Sequence, residues 1–342
     1  MSGTSLDGLD VVLASFTFIN EAWRYSIYYG KTLSYPPELW RLLKSAHRLE
    51  SLVLAELDFT FARWCGEQLR VICAEHHYSP EIVASHGHTV FHQPGKGMTL
   101  QIGNGAVMAA ACGFPVVYDF RSGDVAMGGQ GAPLVPVGDH LLFSDYRYCL
   151  NLGGIANVST IRGNRRVAWD IVPVNMVLNL LSGRIGEPFD PDGSLAENGT
   201  VIPELLENLD RLPYYSAPAP KTLGREWVEQ NILPQLRQNM DLSDLLRTYT
   251  EHVARQISKE VPGNSDDLVL VTGGGSHNRF LMERISSMTN TRVFIPEKQL
   301  VDFKEALVFG FLGLLRYLGQ DNVLASVTGA TKDHCAGSLA MP

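Results

Sequence analysis

The sequence predicts an α/β protein of two lobes, in which one order of secondary-structure elements occurs twice and a cleft lies between the halves. Short apolar, β-branched segments alternate with longer amphipathic segments along the chain, as expected for strands and helices. A glycine turn opens each of the two series, at residues 2–10 and 151–157. The length of 342 residues suits two domains, and no long flexible linker separates the two series.

The first series begins with a meander of two strands. Its predicted elements are strands at 11–18 and 25–33, helices at 36–46 and 49–74, strands at 81–85 and 99–102, a helix of small residues at 105–111, and a strand at 115–119. A glycine turn of the opening type usually follows a strand, and the sequence begins inside the turn. We therefore expect the first strand of this series to be missing.

The second series repeats the pattern. Its predicted elements are strands at 146–152, 155–161 and 166–170, helices at 173–181, 227–238 and 242–261, a strand at 268–272, a helix at 277–288, a strand at 292–295 and a helix at 304–318. Residues 189–220 are rich in Pro, Asp and Gly and are predicted to form loops. We place the N-terminal lobe at 1–140, with 320–342 packing back on it, and the C-terminal lobe at 141–319.

Composition excludes several classes of partner. Apolar residues make up 45% of the chain and charged residues 19%, and the net charge is −8. This acidic balance argues against nucleic acid or an anionic membrane as a partner, because both need a basic surface. The five scattered cysteines, without a CxxC pair or a signal peptide, indicate a reducing, cytoplasmic location.

Three glycine turns are candidates for binding a nucleotide. They lie at residues 2–10, 151–157 and 272–278. Main-chain N–H groups of such turns can converge on phosphate oxygens because glycine allows close approach. The first turn alone is equally consistent with an ordinary hairpin turn, and any one glycine turn is weak evidence. Three turns at matching places in a duplicated fold point to a nucleotide bound between two lobes. The sequence contains no Walker A loop, no G-x-G-x-x-G fingerprint and no protein-kinase signature, so those other modes of nucleotide binding are not indicated.

Charged residues near these turns are candidates for chemistry. Asp170 follows a predicted strand and is a candidate general base, with a helix-capping role as the alternative. Arg121 could bind a carboxylate through two hydrogen bonds, or form a structural pair with a nearby aspartate. Glu305 could face the cleft or only favour the start of its helix.

A run of three histidines, His86, His88 and His92, has the spacing H-x-H-x₃-H. Zinc is conceivable, but no cysteine or fourth ligand lies nearby in the sequence, so we predict no protein metal site here. Hydrogen bonding to a polyol and a purely structural role in a loop both remain open.

Many segments of the chain resemble the anhydro-N-acetylmuramic acid kinase family, which belongs to the sugar kinase, Hsp70 and actin superfamily. The resemblance implies that superfamily's duplicated ribonuclease-H-like fold, as in the actin-like ATPases. The matching segments are residues 2–10, 85–87, 99–103, 119–121, 128–136, 151–157, 221, 224–226, 272–278 and 328–330.

The resemblance implies a reaction and roles for individual residues. ATP, with Mg²⁺, would phosphorylate O6 of 1,6-anhydro-N-acetylmuramic acid while water opens the anhydro bridge, giving N-acetylmuramic acid 6-phosphate in cell-wall recycling. Asp170 matches the aspartate that activates water. The residues implied to bind ATP are Gly3, Thr4, Ser5, Leu6, Asp7, Gly8, Leu9, Asp10, Asn151, Gly153, Gly154, Gly273, Gly274 and Gly275. Those expected to bind the sugar are His86, Thr89, Arg121 and Glu305.

The chain departs from the family pattern around the base. The family usually has Phe-Asp-Thr-Gly-Pro-Gly-Asn, and residues 169–175 here read Trp-Asp-Ile-Val-Pro-Val-Asn. These changes concern the sugar pocket more than the nucleotide site. Two other functions remain open: a kinase of the same fold with another sugar or an acid as substrate, and an actin-like or Hsp70-like ATPase. The expected partners are small molecules, with a homodimer left open.

Overall fold

The computed structural model describes residues 1–3, 6–237 and 239–342. They form two compact units: unit 1 comprises Met1–Leu142 with Glu305–Pro342, and unit 2 comprises Phe143–Lys304. Residues 305–319, predicted to lie in the C-terminal lobe, belong to unit 1 in the structure. The reason is packing, because the Phe309 ring lies 5.5 Å from that of Phe120.

Unit 1 opens with an antiparallel hairpin of β1 (Leu9–Ile19) and β2 (Ala22–Leu33). The first segment of this unit continues with α1 (Pro37–Ser45), α2 (Ser51–Glu75), β3 (Val83–Ala84), β4 (His88–Gln93), β5 (Met98–Ile102), α3 (Gly105–Cys112), β6 (Val116–Tyr118), α4 (Ser122–Ala126) and α5 (Pro136–Leu141). Strand β4, which the sequence analysis missed, pairs antiparallel with β5. The hairpin of β4 and β5 carries two of the three histidines described above.

Unit 2 is built on one mixed sheet. Its elements are β7 (Tyr148–Leu152), β8 (Ile155–Arg162), β9 (Arg165–Pro173), α6 (Asn175–Ser182), α7 (Ser194–Asn198), α8 (Pro203–Asp210), α9 (Arg225–Asn231), α10 (Leu242–Glu260), β10 (Leu268–Thr272), α11 (Arg279–Met288) and β11 (Arg292–Phe294). The strand order is β9-β8-β7-β10-β11, with β7 antiparallel to β8 and parallel to β10. Numbered along the chain within the sheet, this is the order 3-2-1-4-5 of the ribonuclease-H-like fold, so the expected α/β fold is confirmed.

The chain returns to unit 1 through α12 (Lys298–Tyr317) and ends with α13 (Ala325–Thr328) and β12 (Ser338–Ala340). Strand β12 pairs antiparallel with β6, which pairs parallel with β3, so these strands form a second small sheet in the order β12-β6-β3. The terminal segment is therefore fixed to unit 1 by main-chain hydrogen bonds as well as by α12.

Helix α10 fixes the position of the last residues of β9. The Asp241 side chain caps the helix by accepting a hydrogen bond from the Asp244 N–H at 3.1 Å. Leu245, Tyr249 and Val253, spaced four residues apart, are fully buried in the core of unit 2. The Tyr249 hydroxyl donates to the Pro173 carbonyl at 2.9 Å, and so ties the helix to the end of the strand.

Two differences from the predicted elements concern the neighbourhood of Asp170. Strand β9 runs on to Pro173, which lies opposite Ile155 of β8, and the next helix begins at Asn175 rather than at Pro173. Asp170 is therefore inside a strand and not at the corner between strand and helix. Residues 189–220, predicted as loops, contain α7 and α8.

We predict that Gly66→Ala lowers the free energy of unfolding by about 1–3 kcal/mol, the usual cost of overpacking. Gly66 brings α2 and α3 into close contact, because a Cβ there would lie 2.6 Å from the Ala111 Cβ and 2.8 Å from the Met108 carbonyl oxygen. The helices would have to separate, which outweighs the better helix propensity of alanine. Denaturant titration of the purified protein measures the change.

The matched control is Gly123→Ala in α4, where a Cβ meets no atom within 4 Å. This substitution should leave the free energy of unfolding unchanged or raise it by up to ~1 kcal/mol through helix propensity. Equal destabilisation by both substitutions would show that helix contact is not the cause.

Candidate functional site

Unit 2 brings the second and third glycine turns together at one edge of its sheet. Strands β7 and β10 are parallel neighbours, with Asn151 opposite Thr272, so the turns that follow them start side by side. A Cβ on Gly273 would lie 2.5 Å from the Asn151 Oδ1 and 2.9 Å from the Leu152 carbonyl carbon. The structure thus places Asn151 in contact with the Gly273–Gly275 turn, two segments that are separated by more than a hundred residues in the sequence.

Asn175 links the two turns to the start of α6. Its side-chain Nδ2 donates to the Leu152 carbonyl at 3.3 Å, and its main-chain N–H donates to the Gly153 carbonyl at 3.3 Å. Its Oδ1 lies 3.4 Å from the position of a Cβ on Gly275. In the sequence, Asn175 stands out only as a residue that matches the family pattern. No local sequence pattern indicates this bridging position, because it depends on contacts between Asn175 and the end of β7.

The glycines of these turns fall into two groups, those that the fold itself requires and those that it does not. Gly273 has φ +86°, and Gly275 packs so closely on Leu152 that a Cβ would lie 2.9 Å from the Leu152 Cβ. At Gly153, Gly154 and Gly274 the nearest contacts of a Cβ would be an ordinary 3.4–3.9 Å. Neither packing within unit 2 nor a left-handed backbone requires glycine at these three positions. Their bare main chain is what a phosphate or a flat ring needs for close approach.

Asp170 lies in β9 opposite Asn157, next to an irregularity in the pairing of β8 and β9. Its Oδ2 accepts a hydrogen bond from the Leu223 N–H at 2.9 Å, and it does not cap a helix, because α6 has no side-chain cap. Partial burial raises the pKa of this carboxyl above its usual value, and the Leu223 hydrogen bond opposes the shift. The capping alternative is therefore wrong, and the carboxylate is fixed through one oxygen.

A segment around Tyr214 and Lys221 holds Asp170 in place. The Tyr214 hydroxyl donates to the Asp170 carbonyl at 2.7 Å, and the Asp170 N–H donates to the Lys221 carbonyl at 2.9 Å. The Lys221 ammonium pairs with Glu260 at 3.1 Å, and Glu260 also accepts from the Trp169 indole at 3.0 Å. This anchored segment was missed in the sequence, where only Lys221 was noted, because nothing in the spacing connects residues 214–223 with β9.

In unit 1, Arg121 is held by two partners. Its Nε donates to the His86 Nε2 at 2.9 Å and its Nη1 donates to the Gly131 carbonyl at 2.8 Å. Burial lowers the pKa of the His86 imidazole well below its usual value, and the Arg121 charge adds to the effect. His86 is therefore neutral, with its Nδ1 donating to the Gly87 carbonyl and its Nε2 accepting from the arginine.

The same cluster contains Glu305, whose charge opposes the lowering of the Arg121 pKa by burial. The alternative for Arg121 was a structural pair with a nearby aspartate, but its hydrogen bonds in the structure go to His86 and to the Gly131 carbonyl. The structure thus brings together three of the four predicted sugar-binding residues. Thr89, the fourth, lies on β4, where its hydroxyl accepts from the Gln101 Nε2 at 3.4 Å.

Asp124 is a further residue of this region, and it fixes the loop that carries Gly131. This fully buried carboxylate accepts the Gly131 N–H at 2.6 Å through Oδ2 and the Thr328 hydroxyl at 2.7 Å through Oδ1. Gly129 has to be glycine, because a Cβ there would lie 2.2 Å from the carboxylate. Asp124 thus joins two segments that are about 200 residues apart, and its carboxylate explains the glycine at position 129.

The three histidines have separate partners. His88 is buried, and its Nδ1 forms a 2.9 Å hydrogen bond with the Ser2 hydroxyl. The His92 Nδ1 forms a 3.1 Å hydrogen bond with the Thr99 hydroxyl. With His86 bound to Arg121, each ring has its own structural hydrogen bond. Among the described residues, no cluster of three or more His, Cys, Asp or Glu side chains could hold a metal ion.

The opening turn is described only in part, because Thr4 and Ser5 lie outside the described residues. Gly8 has φ +154° and a Cβ there would lie 2.8 Å from the Leu33 carbonyl oxygen, so the fold of the hairpin requires glycine at this position. Leu9 is buried in the core of unit 1, and the Asp10 carboxylate accepts the Thr32 hydroxyl at 2.6 Å. Asp7 is exposed.

Comparison with known proteins identifies a family. A family model described as anhydro-N-acetylmuramic acid kinase matches residues 1–342. Within the described part of the chain, no helix combines the length and apolar character needed to cross a membrane.

Solved structures similar to this chain include an activator of the 2-hydroxyisocaproyl-CoA dehydratase from Clostridium difficile with bound ADPNP. It is 16% identical with a TM-score of 0.32, and the match covers 49% of this chain and 60% of that protein. A gluconate kinase from Lactobacillus acidophilus is 15% identical with a TM-score of 0.33, over 61% of this chain and 45% of that one. The chain thus spans less than two thirds of the length of these proteins.

We predict that Gly153→Ala and Gly274→Ala weaken the binding of a nucleoside triphosphate at least ~10-fold, a loss of about 1.4 kcal/mol. Both positions accept a Cβ without internal collision, so the fold should remain intact while the methyl group obstructs the ligand. Isothermal titration calorimetry with a non-hydrolysable ATP analogue measures the affinity, and thermal unfolding verifies the fold.

Gly183→Ala is the matched control in unit 2, since a Cβ there meets no atom within 4 Å and the residue follows the C-terminal end of α6. It should leave the affinity unchanged. Unchanged affinity in all three variants would show that these turns do not contact the nucleotide.

Proposed function

Because this chain belongs to the anhydro-N-acetylmuramic acid kinase family, we propose that it phosphorylates 1,6-anhydro-N-acetylmuramic acid at O6 with ATP. Family membership makes the chain a phosphotransferase that acts on a sugar hydroxyl. In the proposed reaction water adds to C1, the C1–O6 bond breaks, O6 takes the γ-phosphoryl group and ADP leaves. The product is N-acetylmuramic acid 6-phosphate, for recycling of the cell wall in the cytoplasm.

The observation that carries this proposal is the state of Asp170. The Leu223 N–H occupies Oδ2, and among the described residues no side chain or main-chain group is seen to donate to Oδ1. The raised pKa of the carboxyl favours proton uptake. Asp170 is thus suited to take a proton from a water molecule as that water attacks C1. Its charge would also stabilise the positive charge that develops at C1 as the bond to O6 breaks.

The glycine turns of unit 2 are suited to hold ATP. A Cβ at Gly153, Gly154 or Gly274 would meet only ordinary contacts of 3.4–3.9 Å, so neighbouring atoms do not crowd these turns, and phosphoryl transfer depends mostly on positioning and electrostatics. We assign the phosphates to Gly153 and Gly154 with Asn151, and the adenosine to Gly273–Gly275. The opening segment of unit 1, at Gly3 and Leu6–Asp10, remains a proposed contact of the phosphates.

Mg²⁺ fits the carboxylates of the opening segment. This ion takes one or two carboxylates together with phosphate oxygens and water, so it does not need the cluster of three protein ligands that the described residues lack. Asp7 and Asp10 offer that oxygen chemistry. When bound, the ion would supply neutralisation of the phosphate charge.

Arg121 is suited to bind the lactyl carboxylate of the sugar. Its guanidinium is oriented by His86 and Gly131, which reduces the entropy that a flexible arginine would lose on binding. Both ring nitrogens of His86 are engaged, so we assign it a positioning role behind Arg121. Glu305 and Thr89 remain proposed sugar contacts, and a homodimer remains a prediction.

A coupled assay of ADP release tests the substrate. We expect turnover to rise many-fold with 1,6-anhydro-N-acetylmuramic acid, and much less with N-acetylmuramic acid or plain hexoses, because only the anhydro sugar releases O6 when water attacks C1. Equal stimulation by a plain hexose would favour another sugar kinase. ADP release independent of any sugar would favour an actin-like or Hsp70-like ATPase.

Asp170→Asn should lower kcat by ~10²–10⁴ and leave ATP affinity unchanged, as for loss of a general base. Asparagine keeps an oxygen that can accept the Leu223 N–H, so the fold should persist. Steady-state kinetics and calorimetry measure the two effects. The same change at the exposed Asp266 is the control and should be silent; full activity in Asp170→Asn would remove this residue from the mechanism.

The pH profile provides a second readout of the same residue. Because burial raises the pKa of Asp170, the acid limb of kcat should lie above ~3.9, the value of an ordinary aspartate. The folded state then binds more protons than the unfolded one, so this group's contribution to stability falls as pH rises through the raised pKa. Asp170→Asn should abolish the acid limb of kcat and remove the contribution of this carboxyl to the pH dependence of the free energy of unfolding.

A further inference from the structure

Two aromatic side chains from a different segment of unit 1 hold the main chain of the opening turn. The Trp40 Nε1–H donates to the Leu6 carbonyl at 3.1 Å, and the Tyr35 hydroxyl donates to the Gly8 carbonyl at 2.9 Å. Trp40 belongs to α1, and Tyr35 lies in the short segment between β2 and α1. Together these two side chains form what we term the clamp.

The clamp acts on a backbone of uncommon conformation. Leu6 has a φ of +59°, in the left-handed region that leucine rarely adopts. Such a conformation persists only where surrounding contacts hold it in place. The hydrogen bond from Trp40 to the Leu6 carbonyl is a contact of this kind, so the conformation of the turn depends on a side chain of α1.

The hydrogen bonds of the turn fix the direction of its peptide groups. In a trans peptide the carbonyl and the N–H of the next residue point in opposite directions, so the Trp40 bond directs the N–H of Asp7 away from α1. The Gly3 carbonyl is engaged as well, because it accepts the Leu6 N–H at 3.3 Å. The carbonyls of Gly3, Leu6 and Gly8 thus bond to donors of unit 1. Phosphate oxygens are repelled by carbonyl oxygens and bound by N–H groups, so this arrangement suits an anion.

Tyr35 also connects the two ends of the turn. Its hydroxyl lies 2.8 Å from the Ser2 Oγ in addition to its bond with the Gly8 carbonyl, and the Ser2 Oγ lies 2.9 Å from the His88 Nδ1. All three side chains are buried. Burial raises the pKa of Tyr35 and lowers the pKa of His88, so at neutral pH the phenol keeps its proton and the imidazole is uncharged. A neutral, buried network therefore holds the entry and the exit of the turn together.

Trp40 is fixed on the surface side of α1. Leu39 and Leu43 of this helix are buried, and the Lys44 Nζ lies 4.6 Å from the centroid of the Trp40 ring, in a cation–π contact. The Trp40 side chain itself is 36% exposed. A substitution at this position therefore removes the bond to the turn without opening a cavity in the core.

We propose that Tyr35 and Trp40 are positioning residues for a nucleoside triphosphate. They hold the carbonyls of Gly8 and Leu6 towards donors of unit 1, and the opening turn therefore presents N–H groups, that of Asp7 among them, to the phosphates. This inference rests on the proposed function, in which the opening segment contacts the phosphates of ATP. The clamp acts through the turn and does not itself touch the nucleotide.

Tyr35→Phe and Trp40→Phe test the proposal, because each removes one donor and keeps an aromatic ring. We expect each to weaken the binding of a non-hydrolysable ATP analogue at least ~10-fold, and to change the affinity for adenosine, which has no phosphates, less than ~2-fold. Isothermal titration calorimetry measures both ligands, and thermal unfolding verifies the fold. If Tyr35→Phe does not fold, the exposed position of Trp40 keeps the test decisive.

Tyr28→Phe on β2 is the matched control. It also removes a tyrosine hydroxyl with a side-chain partner, the Ser15 Oγ at 2.9 Å, but from an exposed position of the same hairpin. It should leave both affinities unchanged. In steady-state kinetics the clamp variants should raise the KM for ATP and leave the KM for the sugar unchanged.

Unchanged affinity for the ATP analogue in the folded clamp variants would overturn the proposal. Equal weakening for adenosine and the analogue would also overturn it, because the effect would then be a general disturbance of the fold. A wild-type protein that binds the analogue but releases no ADP with any sugar would contradict the proposed reaction, while a phosphate-dependent loss in the clamp variants would still support this inference.

Discussion

The candidate site of unit 2 depends on one constraint, the parallel pairing of β7 with β10. Asn151 lies opposite Thr272, and the first glycine of each turn follows closely, Gly153 after β7 and Gly273 after β10. Parallel neighbours end at the same edge of a sheet, so both turns are directed to one place regardless of the distance between them in sequence. The close contact of Gly273 with Asn151 and Leu152 then fixes the turns against one another, and Asn175 adds a hydrogen bond to the same edge.

Two carboxylates, Asp124 and Asp170, differ in how many of their oxygens the surrounding structure engages. Asp124 is fully buried and uses both oxygens, one for the Gly131 N–H and one for the Thr328 hydroxyl, so it joins loops. Asp170 is only partly buried and accepts the Leu223 N–H through a single oxygen. Ionised aspartate can accept several hydrogen bonds, and a group with unused capacity near solvent can still exchange a proton. The second arrangement is the one that a general base needs.

Local patterns in the sequence predicted most of the fold but not the long-range contacts. The strand at 268–272 was predicted to the residue, because four apolar residues and a threonine form a short run directly before a glycine turn. Strand β4 was missed because its His, Thr and Gln residues lack an apolar alternation. The assignment of 305–319 was wrong because the change of unit falls inside the continuous helix α12. Asp170 was selected from the sequence and its role as a general base stays a prediction, whereas its partner Leu223 is 53 residues away and has no local signal.

The departures from the family pattern around Asp170 have a structural explanation. Valines replace the two glycines of the family pattern at positions 172 and 174, and both side chains are fully buried in the core of unit 2. Val174 has a φ of −120°, so it does not adopt the left-handed conformation that favours glycine. The main-chain bond from Asp170 to Lys221 and the bond from Asn175 to Leu152 are both present beside these valines. The two valines therefore add apolar packing behind β9. The Asp170 carboxylate is positioned by the anchored segment around Tyr214 and Lys221.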